Sequence, residues 1–179
     1  MFLSTNKSRP NTANEIPRYF LSLGAGQHQL SLIQAARDLG LRVIAVDRNL
    51  GAPGFRYADL QLQCSILRPR RIIRMLGENM TDGRIVGVGC RSFGRANVAA
   101  ALVARHFRTP GPTLAHLKHF RDKRANKLLL QKAGVSMPRI FTWDSNAGRL
   151  ALSRARPPLI VRPAVGHGKV GLQLLNKAE

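Results

Sequence analysis

The sequence predicts an α/β protein: an open parallel sheet covered on both faces, then a second, smaller α+β unit. Short apolar runs alternate with stretches of helical period up to about residue 107, the pattern of a parallel sheet with crossover helices. A glycine turn joins the first apolar run to the first helical stretch. At Thr109–Thr113 (TPGPT) two prolines flank a glycine, which breaks the alternation and marks a boundary.

The first strand is read in RYFLSL, which ends in GAG at Gly24–Gly26. In QLSLIQAARDLG the apolar positions Leu30, Ile33, Ala36 and Leu39 recur at helical spacing, and Gly40 stops the helix. RVIAVD, rich in β-branched residues and closing on Asp47, completes a βαβ unit. The turn-rich connection RNLGAPGFRYAD leads to a weak strand, LQLQC, and to a basic amphipathic helix over about Leu67–Leu76. Asp82-Gly83 turns the chain into a strand ending at Gly89, and a helix is expected over Ala96–Phe107.

Beyond TPGPT the expected elements are a helix over about Asp122–Ala133, a strand at RIFTW and a short helix over Ala147–Arg154. Two strands, in PPLIVRP and VGLQLL, then flank the loop AVGHGKVG. Asp122 suits the N-cap of the first helix, and Gly134 and Pro138 end it. The expected organisation is a loose arm over 1–17, a first domain over 18–112 and a partial second domain over 113–179.

The chain carries 29 basic and 9 acidic residues, a net charge of +20, and arginine far outnumbers lysine. Such a surface attracts polyanions. The basic residues are scattered, with no run of five or six like charges. Arg68, Arg70, Arg71 and Arg74 come closest and read as a solvated helix face. Cys64 and Cys90 form no CxxC or metal spacing, so buried thiols in a reducing compartment are expected. No run of about 18 apolar residues suggests a membrane span. The opening lacks the apolar core of a signal peptide, and the expected location is cytoplasmic.

Two glycine-rich segments carry the chemistry. GAGQHQ, Gly24–Gln29, has the first two glycines of a GxGxxG turn, with Asp47 about 20 residues on, where an acid would take a ribose. Gln29 stands where the third glycine belongs. NAD binding, a small-ligand pocket at the strand ends, and a purely structural turn all remain open from this pattern. The second segment is LIVRPAVGHGKVGLQLL, with Gly166, Gly168 and Gly171 between two strands, and His167 and Lys169 among them. Glycines let successive N–H groups approach phosphate oxygens, and a lysine adds a mobile cation. The flanking strands separate it from a Walker A loop, and an unliganded hairpin also fits.

In order and spacing these pieces resemble the front portion of the ATP-grasp superfamily, in its carbamoyl-phosphate synthetase and biotin carboxylase-like branch. LSLGAGQHQLSLIQAARDLGLRVIAVDRNLGAPGFRYAD looks like the Rossmann-like domain that precedes the ATP-grasp fold. TPGPTLAHLKHFRDKRANKLLLQKAGVSMPRIF looks like the segment that follows, and PPLIVRPAVGHGKVGL looks like the strand and phosphate loop. The resemblance covers nearly all of the chain from Arg18 onward. It implies that Lys123 reaches the nucleotide phosphates and that Arg162 stands where a second phosphate-binding lysine is usual. It also implies that Gly166, His167, Gly168, Lys169 and Gly171 form the loop over them. Gly24, Gly26, Gln27 and Asp47 fall in a region used for substrate.

The implied parent activity is ATP-dependent ligation of a carboxylate to an amine through an acyl phosphate. ATP and a small carboxylate would be the partners, there would be no membrane, and there is room for a homo-oligomer and for non-specific polyanion binding. The family's Mg2+ ligands lie in a later lobe and none is expected before Glu179. The chain is therefore expected to be a fragment or short form, not catalytic alone, with no catalytic residue assigned. The rival readings are a basic nucleic-acid-binding module and an NAD-binding regulatory domain.

Overall fold

The computed structural model describes residues 2–4, 16–111, 113–166 and 169–176, with 2–4 and 118–121 described by backbone alone. The chain divides into two compact units, Met1–Leu114 and Ala115–Glu179.

The first unit is built on a five-stranded sheet. Its strands are β1 (Phe2–Ser4), β2 (Arg18–Leu23), β3 (Arg42–Asp47), β4 (Leu60–Gln63) and β5 (Arg84–Gly89), in the spatial order β1-β4-β3-β2-β5. Strands β4, β3, β2 and β5 are parallel. No element is legible in the sequence at the N-terminus, yet β1 pairs antiparallel with β4, Phe2 opposite Leu62.

Side-chain alternation places a core on each face of the sheet. From β2 and β3, Tyr19, Leu21, Leu23, Ile44 and Val46 join Leu62, Ile72, Leu76 and Val103 on one face. On that face lie the helices α2 (Pro69–Asn79) and α3 (Arg95–His106). On the other face Val43 and Ala45 pack with Ile33 and Ala36 of α1 (Leu30–Asp38) and with Phe55 of the 3-10 turn Pro53–Tyr57. Buried Ser22 is satisfied locally, its hydroxyl donating to Gly24 O at 2.7 Å. Leu39 departs from the expected apolar face. It follows the last residue of α1 and is 78% exposed.

The second unit is mostly surface. It contains α4 (Leu114–Arg121), which the sequence reading missed, then α5 (Lys123–Lys132), α6 (Asn146–Ser153) and an antiparallel pair, β6 (Leu159–Val161) with β7 (Gln173–Leu175). Local capping sets the helix starts. The Asp122 carboxylate accepts from Arg124 N and Ala125 N, and the Ser145 hydroxyl accepts from Gly148 N. RIFTW is not a strand: Arg139–Trp143 pairs with no other segment among the described residues. An extended run becomes a strand only where a partner takes its backbone groups. Here the Arg139 guanidinium stacks over Phe141 at 5.5 Å from the ring centre instead. Among the described residues of this unit only Leu117 is buried, while Trp143, Ile160 and Val170 are more than 60% exposed.

Candidate functional site

In the first unit the glycine turn follows directly on β2. Gly24 adopts φ +110°, a conformation that disfavours any residue with a Cβ, and a Cβ there would lie 3.0 Å from Gln29 Cγ. Gly26 leads into a 3-10 turn over Gln27–Gln29, in which Gln27 and His28 are exposed.

Asp47 is held by the backbone around it. One carboxylate oxygen accepts from Ala25 N and the other from Asn49 N, each at 3.0 Å. It ties the end of β3 to the glycine turn and to its own loop. Each oxygen keeps a further lone pair for another donor.

Gln29 is the residue whose role the sequence did not reveal. It is buried, and its side-chain amide pairs with the backbone of Arg91 in both directions. Nε2 donates to Arg91 O, and Arg91 N donates to Oε1, both at 2.9 Å. Arg91 in turn donates from Nη1 to Ser31 Oγ at 2.6 Å. A glycine at position 29 would lose this strap between the glycine turn and the loop after β5. Replacement of the third fingerprint glycine by a long amide is the signal that could have exposed it.

In the second unit the loop after β6 meets the start of α5. Lys123 N donates to Ala164 O at 2.9 Å, and Asp122 and Val165 form a single antiparallel bridge. Lys123 Nζ donates to Gly166 O at 2.8 Å and to Pro163 O at 3.4 Å. Lys123 and the glycine loop, 40 residues apart in sequence, are therefore neighbours.

Arg162 directly follows β6, one residue before the carbonyl that Lys123 reaches. It is exposed and has no ion pair or hydrogen bond among the described residues. Lys169 is exposed at φ +63°, and Gly171 at φ +70° leaves room for Pro163, whose Cγ would lie 2.9 Å from an added Cβ. His167 and Gly168 lie outside the described residues. Two cations and a loop of left-handed residues thus occupy one end of the β6–β7 hairpin, an arrangement chemically suited to a polyanion. Gly24, Gly26, Gln27 and Asp47 belong to the first unit.

Among the described residues no three His, Cys, Asp or Glu gather as a metal site. Asp122 caps α5, and Asp144 pairs with Arg124. Hydrogen bonds from Thr142 and then Arg124 hold the Asp144 carboxyl below the usual carboxylate range. No helix among the described residues is long and apolar enough to cross a membrane.

No family model matches the chain. It is 29% identical over 165 residues to a formate-dependent phosphoribosylglycinamide formyltransferase of Synechocystis sp., covering 91% of this chain and 41% of that one. N5-carboxyaminoimidazole ribonucleotide synthetase from Thermotoga maritima superposes with a TM-score of 0.68 at 16% identity, over 90% of this chain and 41% of that one. The biotin carboxylase domain of Hydrogenobacter thermophilus 2-oxoglutarate carboxylase, a dimer solved with Mg-ADP, ADP and bicarbonate, gives 0.68 at 17% identity, over 92% and 39%. The chain spans about two fifths of the length of the curated relatives it matches. These relatives are ATP-grasp proteins, and the match lies in their N-terminal part. The resemblance read from the sequence holds at the level of the fold: this chain has the architecture of the front portion of the ATP-grasp ligases.

Proposed function

We propose that the chain binds ATP through its second unit, as the first part of an ATP-grasp site. The observation that carries the proposal is the contact of Lys123 Nζ with the carbonyls of Pro163 and Gly166. The lysine braces the glycine loop through these carbonyls, and triphosphate oxygens offer it stronger, charge-assisted acceptors. Arg162 supplies a second cation in which a planar fork replaces a point charge. Lys169 and the loop amides supply further donors, with His167 and Gly168 completing the proposed set.

Gly24, Gly26, Gln27 and Asp47 are proposed as the floor of a substrate pocket at the strand ends of the first unit, where open sheets place ligands. Asp47 there acts by fixing the turn. The parent reaction is ligation: ATP phosphorylates a carboxylate, leaving ADP, and an amine displaces phosphate from the acyl phosphate. The bound magnesium of the Hydrogenobacter thermophilus protein does not fit the described residues of this chain, since no cluster of metal-ligating side chains exists among them. No step is assigned through it. The expected property of the chain is nucleotide binding rather than turnover.

Binding of ATP, AMP and inorganic phosphate to the wild-type chain tests the reading. ATP should bind at least about tenfold more tightly than AMP, a difference of about 1.4 kcal/mol. Equal binding of the three would reduce the site to non-specific charge attraction.

A further inference from the structure

A groove of ≈ 690 Å³ lies between the first turns of α2 and the last turns of α3. Four guanidinium-bearing residues line it, Arg68, Arg70 and Arg71 from α2 and Arg105 from α3, around an apolar strip made by Ile73 and Leu102. None of these four guanidinium groups has an ion pair or hydrogen bond among the described residues. Arg74, one turn further along α2, does: it pairs with Glu78 at 3.8 Å and is not part of the lining. The first turn of α2 carries no acidic residue and no side-chain cap, and Pro69 stands at its start, so the helix adds a positive end to the same place.

We propose that this groove docks an acidic amphipathic helical segment of a partner protein. Charge alone would suit any polyanion, but the apolar strip is specific. A phosphodiester backbone has nothing to lay against Ile73 and Leu102, and the one ring in the lining, His106, already packs edge-on against Phe107 at 4.9 Å between ring centres. A helix with leucine-like residues on one face and carboxylates flanking them satisfies both features at once. Its carboxylates meet the arginine forks in a geometry that admits paired hydrogen bonds. The strip removes apolar surface from water on both partners. The rim charges serve chiefly to steer encounter and select the partner.

The probe is a labelled helical peptide with glutamates beside a leucine stripe, titrated into the full chain by fluorescence anisotropy. Polyglutamate and duplex DNA serve as comparison ligands. The double variant Arg70→Glu/Arg105→Glu should weaken peptide binding by more than about tenfold. Leu102→Gln, at a half-exposed site, should weaken it roughly threefold while leaving polyglutamate binding unchanged. Circular dichroism matching the wild type confirms that each variant is folded. Equal affinity for polyglutamate and the peptide overturns the proposal, as does indifference to either variant. DNA binding that falls with the double variant and ignores Leu102→Gln assigns the groove to nucleic acid instead.

Discussion

Single side chains hold the two glycine segments in shape. Asp47 receives two backbone N–H groups and Gln29 exchanges two hydrogen bonds with Arg91. Removing either partner leaves part-buried backbone groups unmatched, so Asp47→Ala and Gln29→Ala should each cost about 1–3 kcal/mol in denaturant unfolding. A loss below a few tenths would show that water replaces these partners freely. Cys90 offers a separate check. Burial pushes its thiol up to about 11, so at pH 8 the nucleophilic thiolate is nearly absent. Iodoacetamide should alkylate Cys90 in the native chain far more slowly than in the unfolded chain, and the native rate should climb only as pH approaches 11. The folded state holds the proton more tightly than the unfolded state, so this thiol's contribution to stability falls as pH rises through the alkaline range.

Legibility differed sharply between elements. The βαβ unit was readable because both faces of its strands are buried and its helix has a regular apolar stripe, so pattern and packing agree. Asp122 was readable as a cap because capping is a local interaction. RIFTW was misread because its strand-like composition says nothing about whether a pairing partner exists. The helix α4 was missed because LAHLKHFR is short and follows directly on the Pro-Gly-Pro run that reads as a boundary. The meeting of Lys123 with Pro163 and Gly166 is a long-range contact, invisible to spacing; only the family resemblance pointed to it. The expected consequence at this scale concerns α5. Asp122→Ala should cost about 1 kcal/mol and speed amide exchange at Arg124 and Ala125 in particular. Unchanged exchange there would mean that the cap does not hold the helix start.

Over the whole molecule, the first unit has a core on both sides of its sheet, while the second has few buried side chains among the described residues. Stability should divide accordingly. Hydrogen exchange should find protected amides in β2, β3 and β5, and fast exchange in α6, β6 and β7. The exposed Trp143, Ile160, Val170 and Leu174 should bind a hydrophobic dye such as ANS, and slow exchange in β6 and β7 without dye binding would mean that this face is covered. The +20 charge sets a background against which any nucleotide affinity must be judged, because salt weakens non-specific polyanion binding steeply.

The most direct test of the central claim is calorimetric titration of ATP into the wild-type chain and into Lys123→Met at moderate salt. The account predicts measurable ATP binding that exceeds AMP binding in the wild type and falls by at least about tenfold in the variant. ATP binding of the same strength in both chains would contradict it.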